Sequence, residues 1–384
     1  MILPSAQARR VSAHAKIVVA VSGGGDSMAM LHLLVAAKRD GRIASDICVA
    51  TVDHGLRDGS AQEAKFVASW SQEFGLCHQT LKWSPRLQAS SQAARLARYE
   101  LLARHAIDIG ATAILLGHTV NDQAETVLMR AQRMVGDSAT RGLSAIPPLA
   151  HYSVAPGERV TLLRPLLTVH REALRSMLKE AGLPWIDEPS NEDLRFERIR
   201  ARAALRADPD LPGPQHIAEL AALAQRSRHW LNAQAESALD LHLRVSNEGK
   251  LHLERAHLPR VVSEQVFACL ICVVGGGEHW PAPSKLHDLV EAYGDGLPLR
   301  RNLGRALVTI DASGARFERE SRNLPKVEDQ ESGPFDGRFF IHQDGTMRPF
   351  ILALERFCPE SDHALRDAVC RKLCQRFEPA QNQE

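Results

Sequence analysis

The chain has 384 residues, too many for one ordinary hydrophobic core, so two or three domains are expected. Hydrophobic residues make up 44% and charged residues 24%, which excludes a disordered or fibrous chain. The net charge is +1, so a polyanion would have to be met by locally clustered basic residues rather than by the whole surface.

In chain order, KIVVAV (Lys16–Val21) is a β-branched run that predicts a strand, and the pattern DSMAMLHLLVAAK directly after it predicts a helix. ICVATV (Ile47–Val52) is a second strand, followed by a helix over about 60–74. A third strand lies near His78–Trp83, with a helix over about 90–109. TAILLG (Thr112–Gly117) is a fourth strand, and a helix opens near Asn121 and ends near Met134. Strands spaced by helices in this way imply βαβ units and a parallel sheet. Right-handed crossovers then gather the strand C-termini along one edge, where the chemistry is expected.

Beyond Arg159 come TLLRPLL, a helix through about Ala181, a polar segment Trp185–Asn191 and the arginine-rich LRFERIRARAALR (Leu194–Arg206). DPDLPGPQ (Asp208–Gln215) holds three prolines and a glycine, so helix cannot pass through it and a domain boundary is expected there. The expected organisation is an α/β domain over 1–208, a linker with a long helix over 209–243 (His216–Leu243), and a smaller α+β region over 244–384 whose end, from about Pro325, is weakly patterned. No apolar run of about eighteen residues predicts a transmembrane helix. MILPSAQARRVSAHAK lacks the order of a secretion signal, and seven scattered cysteines do not form a disulfide framework. A cytoplasmic protein with no membrane partner is expected. The oligomeric state stays open, a homodimer among the options.

The sharpest local signal is VVAVSGGGDSMAML. A strand ends at Val21, Ser22-Gly23-Gly24-Gly25-Asp26-Ser27 makes the turn, and a helix begins at once. Glycines let backbone N–H groups approach phosphate, and the helix N-terminus adds donors and a favourable dipole. Ser22 and Ser27 add hydroxyls, and Asp26 suits a divalent cation held against phosphates. The lysine of G-x-x-x-x-G-K-[ST] is missing, and adjacent glycines do not make a dinucleotide fingerprint. A flexible turn is the plainer alternative.

SGGGDS resembles the pyrophosphatase loop of the N-type ATP pyrophosphatases (PP-loop enzymes), which include GMP synthetases, asparagine synthetases, tRNA thiolases and tRNA(Ile)-lysidine synthetases. TVDHGLRDGS (Thr51–Ser60), SSQAARLARYELL (Ser90–Leu102), GHTVNDQAETVLMR (Gly117–Arg130), RPLL (Arg164–Leu167) and WIDEPSNEDLRFERIR (Trp185–Arg200) resemble the signals of the lysidine synthetases in order and spacing, and RNLP at Arg322–Pro325 is similar to a C-terminal segment of some members. Two positions depart from that pattern: Thr119 replaces a common histidine, and Asn121 replaces the first of two aspartates. Asn121 would suit a helix N-cap.

The resemblance implies an adenine nucleotide alpha hydrolase-like fold and an enzyme that uses ATP and Mg²⁺ to adenylylate C2 of the wobble cytidine of tRNA(Ile) with a CAU anticodon. L-lysine then displaces AMP. On that reading Ser22, Gly23, Gly24, Gly25, Asp26 and Ser27 cradle the phosphates, with Asp26 holding the metal. Asp53 and His54 line the adenosine pocket, although a packed loop histidine is an equal reading for His54. Asp122, Glu125 and His118 stand near the amine nucleophile. Arg95, Arg98, Arg195, Arg198 and Arg200 are candidates for tRNA or nucleotide phosphate, whereas Arg202 and Arg206 read as a solvated helix face. Arg300, Arg301 and Arg305, near a turn at Gly294–Gly296, are further tRNA candidates or scattered surface charges. A tRNA thiolase is the nearest rival, but its cysteine signal, Cys269 and Cys272, falls in the apolar run VFACLICVV and reads as core; Cys370 and Cys374 also read as structural. A non-catalytic nucleotide or tRNA binder is opposed by intact Asp26, Ser27 and Asp122.

Overall fold

The computed structural model describes residues 1–55, 59–83, 90–132, 143–187, 194–208, 211–246, 250–277, 279–322, 324–325 and 332–377. Positions 56–58, 191, 134, 209–210 and 323, which carry parts of the signals above, lie outside the described residues. The chain forms two compact units. The first comprises Met1–Arg133, Ser144–Val154 and Glu158–Ala222, and the second is chiefly Leu223–Glu384.

In the first unit, helix α1 (Ser5–Ser12) precedes β1 (Lys16–Ala20), α2 (Gly25–Arg39), β2 (Asp46–Asp53), α3 (Ser60–Glu73), β3 (Cys77–Lys82), α4 (Ser91–Asp108), β4 (Ala113–Leu116) and α5 (Val120–Gln132). β5 (Leu149–Ala155), β6 (Glu158–Leu163), α6 (Arg171–Glu180) and α7 (Glu197–Ala207) follow. The strands β6, β4, β1, β2 and β3 lie side by side in that order and are all parallel, with Val19 opposite Val49 and Leu115, and Ile114 opposite Leu162. Ile17, Val18, Val19 and Ala20 are buried on both faces of the sheet, which is why β1 reads as an unbroken apolar run rather than an alternation. β1 is flanked by β2 on one side and β4 on the other, so succession in the sheet reverses beside it. A crevice at the carboxyl ends of β1 and β4 is the place where such sheets take ligands.

α7 ends at Ala207 and the next helix, α8, starts at Pro214 and runs to His242. The boundary between the units falls inside α8, between Ala222 and Leu223. In the second unit a five-stranded antiparallel sheet has the order β7 (Leu243–Val245), β8 (Leu251–Glu254), β11 (Gly314–Arg319), β10 (Ala306–Asp311), β9 (Leu299–Leu303). Its core is closed by α9 (Arg260–Gly275) and α10 (Pro283–Asp295), with Phe267 packed edge-on against Tyr293 and Phe317. Cys269 and Cys272 are buried in α9, as the apolar run predicts. Downstream, three-residue strands β12 (Gly333–Phe335), β13 (Phe339–Ile341) and β14 (Met347–Pro349) form a small antiparallel sheet; strands that short leave little periodicity to read. No helix among the described residues is long and apolar enough to cross a membrane.

Candidate active site

The turn between β1 and α2 is shaped by its glycines. Gly23 takes φ +87°, and a Cβ there would stand 2.9 Å from Ile186 Cδ1. Its carbonyl accepts a hydrogen bond from the Ile186 amide (2.9 Å), which braces the loop against the Trp185–Asp187 segment. Gly24 is the extended N-cap of α2. The Ser27 hydroxyl donates to the Gly24 carbonyl (2.9 Å) and accepts from the Ser22 amide (3.2 Å), so the loop closes on itself. Gly117, directly after β4, lets that strand end approach the first turn of α2: a Cβ would lie 3.1 Å from Ser27 Cα and 3.2 Å from Asp26 O. The N-terminus of α2 therefore opens into a cavity of about 320 Å³ at the sheet's carboxyl edge.

Beside the loop lies a network of three carboxylates and three guanidiniums. Arg171, in the first turn of α6, donates from Nε to Asp26 Oδ2 (2.8 Å), from Nη2 to Asp122 Oδ1 (3.1 Å) and from Nη1 to Glu125 Oε1 (3.1 Å). Arg198 donates to Glu125 Oε2 (2.8 Å) and Asp122 Oδ1 (3.2 Å), and Arg202 to Glu125 Oε1 (2.8 Å). Glu125 is 1% exposed, and a charge that deep is tolerated only when it is paired and fully hydrogen-bonded. Three negative and three positive charges leave the cluster balanced. Asp122 also caps its own helix: its Oδ2 accepts from the Thr119 amide (2.7 Å) and hydroxyl (2.8 Å). Thr119, not Asn121, thus occupies the position before α5, and the expected N-cap role of Asn121 is corrected. Asn121 Oδ1 accepts the Arg171 amide (2.9 Å), tying the N-terminus of α6 to that of α5.

Burial raises the Asp26 carboxyl above the usual carboxylate range, against the pull of Arg171 and with a further push from Asp122. Asp26 Oδ1 is buried and has no hydrogen-bond partner among the described residues, a combination that calls for a cation or a donor from a ligand. His118 is held well below its ordinary value, first by burial and then by Arg164 and Arg198, so its imidazole is neutral near neutral pH. Asp53 is lowered by hydrogen bonds from Ser60 and the Gly55 amide (3.0 Å to Oδ1), which marks it as the brace of the loop after β2.

Ser22, Gly24, Gly25, Asp26, Ser27, Arg98, His118, Asp122 and Arg198 converge on the cavity. Gly23 and Glu125 do not line it. Asp53 and His54 are not part of the cavity wall; the His54 ring lies edge-on to Trp83 with centroids 5.9 Å apart. The Arg95 guanidinium lies over the Tyr99 ring at 5.2 Å. Arg195 and Arg200 are exposed outside the cavity, and Arg200 donates to the Leu194 and Arg195 carbonyls (both 2.9 Å), shaping the entry to α7. Arg202 corrects an expectation: it lines the cavity and grips Glu125 rather than facing solvent. Its four-residue spacing from Arg198 was the available signal, since two such positions share a helix face. Arg171 and Arg175 also line the cavity and were missed. They lie on an ordinary amphipathic helix with no motif around them, and Arg171 meets Asp26 from 145 residues away in the chain.

Residues 4–208 match the PP-loop domain family. The tRNA(Ile)-lysidine synthase of Ruegeria pomeroyi is 35% identical over 354 residues, covering 90% of this chain and 82% of that protein. The tRNA(Ile)-lysidine synthase of Rhizobium meliloti is 36% identical over 345 residues, 86% of this chain and 74% of that protein. Among solved structures, the U34-tRNA thiolase NcsA from Methanococcus maripaludis aligns with TM-score 0.46 and 17% identity over 58% of this chain and 76% of that one. The glycine loop at the sheet's switch point and the similarity along most of the chain lead to one conclusion: this chain belongs to the PP-loop family and, within it, to the tRNA(Ile)-lysidine synthases.

Proposed function

We infer that this chain uses ATP to join lysine to C2 of the wobble cytidine of tRNA(Ile) bearing a CAU anticodon, releasing AMP and pyrophosphate. The observation that carries the reading is the glycine loop bordering the cavity, with Asp26 Oδ1 beside it lacking a partner among the described residues, in a chain of this family. In the first step the cytidine C2 oxygen bonds to the α-phosphorus as the bond to pyrophosphate breaks. In the second, the lysine Nζ, having lost a proton, attacks C2 and the C2–O bond to AMP breaks.

The remaining loop amides and the Ser22 hydroxyl hold phosphate oxygens as charge moves onto them, while the Ser27 hydroxyl braces the loop. Asp26 Oδ1 would hold Mg²⁺, which would there neutralise the polyphosphate. Arg98, Arg175 and Arg198 present guanidinium charge to the same cavity. His118, being neutral, can accept a hydrogen bond from the incoming amine. Glu125 serves by fixing Arg171, Arg198 and Arg202, a positioning task. Residues 244–384 supply the further RNA contacts, since holding a large RNA takes many phosphate interactions.

Incubation of the protein with labelled lysine, ATP, Mg²⁺ and tRNA(Ile), followed by nucleoside analysis, should place the label in lysidine at the wobble position. Unlabelled RNA, or a thiolated nucleoside when a sulfur donor is supplied, would overturn the assignment.

A further inference from the structure

A second cavity of the first unit, about 570 Å³, lies at the opposite edge of the sheet from the nucleotide loop, where β1, β2 and β3 begin. Its wall includes Lys16, Lys38, Phe74, Cys48 and Cys77, and nothing in the reaction above uses it. Cys48 and Cys77 are register partners on the parallel strands β2 and β3. Partners on adjacent strands are about 4.8 Å apart and project from the same face. That spacing falls within the range of about 4.4–6.8 Å between the Cα atoms of a disulfide. Cys77 Sγ donates to the carbonyl of Ile47, the residue before Cys48, at 3.9 Å, and both cysteines are free. Cys77 belongs to an exposed residue and Cys48 to a buried one.

We propose that Cys48 and Cys77 form a redox-modification site, a cross-strand dithiol that peroxide converts to a disulfide. Cys77, the accessible sulfur, attacks a peroxide oxygen; the O–O bond breaks, giving a sulfenic acid on Cys77 and one water. The Cys48 sulfur then attacks the Cys77 sulfur, the S–O bond breaks, and the Cys48 proton leaves with the hydroxyl as a second water. Two thiols are oxidised by two electrons and the peroxide is reduced to water. Burial, and then the neighbouring Cys77 thiol, push the Cys48 thiol up to about 12, which fits Cys77 as the sulfur that reacts first. Cys48 and Asp53 lie at opposite ends of β2, so the bridge forms away from the nucleotide loop.

The test treats the full chain with hydrogen peroxide and maps its thiols by alkylation and mass spectrometry. The wild type should lose two hydrogens and yield a Cys48–Cys77 linked peptide that dithiothreitol separates. Cys48→Ser should stop at a sulfenic acid on Cys77 that dimedone traps, with lysidine formation unchanged in the untreated variant. Peroxide-treated wild type in which Cys48 stays alkylatable after denaturation, whether Cys77 is unmodified or carries sulfinic acid, would overturn the proposal.

Discussion

Asp26 holds an uncomfortable position for an ionised side chain. Its carboxyl sits above the ordinary value of 3.8 because burial outweighs its pairing with Arg171. The folded chain therefore binds that proton more tightly than the unfolded chain. The stabilisation is complete below pH 3.8 and is lost as pH rises through the folded value. Asp26→Asn keeps the position uncharged, so at neutral pH this variant should be at least as stable as the parent in urea melts. The difference should close as pH falls below the ordinary aspartate range. Its turnover should drop ~10²-fold or more, since losing the neutralisation a metal supplies costs several kcal/mol of barrier. Near-normal turnover would mean the cation is held elsewhere. Glu125 behaves differently, being anchored by three guanidiniums. Arg202→Ala should cost about 1–3 kcal/mol of stability by stripping a donor from a buried carboxylate. In a double-mutant cycle, Arg202→Ala with Glu125→Gln should show a coupling of about 0.5–3 kcal/mol, and additivity would contradict the contact.

At the level of elements, the path of the chain through β1, β2 and β4 was legible because parallel strands buried on both faces leave unbroken apolar runs with helical patterns between them, whereas β3, at the sheet edge with no buried residue, carries a mixed sequence. The nucleotide loop was legible too, since three adjacent glycines between a strand and a helix have few other uses. What escaped was the cross-chain pairing: Arg171 meets Asp26, Asp122 and Glu125 only because α6 and α5 bring their N-termini together, which no local spacing encodes. The same limit misplaced the N-cap of α5, where Thr119 and Asp122 satisfy each other and free Asn121 for α6. Gly117 is the element-level hinge of the site. Gly117→Ala would push a methyl against the backbone of Asp26 and Ser27, atoms that cannot step aside without moving the loop. Nucleotide affinity should fall roughly tenfold with about 1–3 kcal/mol of stability lost. Unchanged affinity by equilibrium binding would show that the loop does not hold the phosphates.

For the whole molecule, the RNA contacts proposed for residues 244–384 are tested residue by residue. Arg300 and Arg301 lie on β9, and Arg301 is paired with Asp288 at 2.7 Å. Arg305 donates to the Gly276 carbonyl and pairs with Asp336, so it serves the fold of the second unit. Arg300→Ala should accordingly weaken tRNA binding and reduce the slope of log affinity against log salt by just under one, as expected for one lost phosphate contact. Arg305→Ala should lower the melting temperature of the chain first. A salt slope untouched by Arg300→Ala would remove that residue from the RNA surface. If the first unit adenylylates an RNA oxygen and not the lysine carboxylate, pyrophosphate release depends on the RNA. With ATP, Mg²⁺ and lysine, pyrophosphate should form only when tRNA(Ile) is added, and it should still form with tRNA(Ile) when lysine is withheld. Lysine-dependent exchange of labelled pyrophosphate into ATP without any tRNA would contradict it.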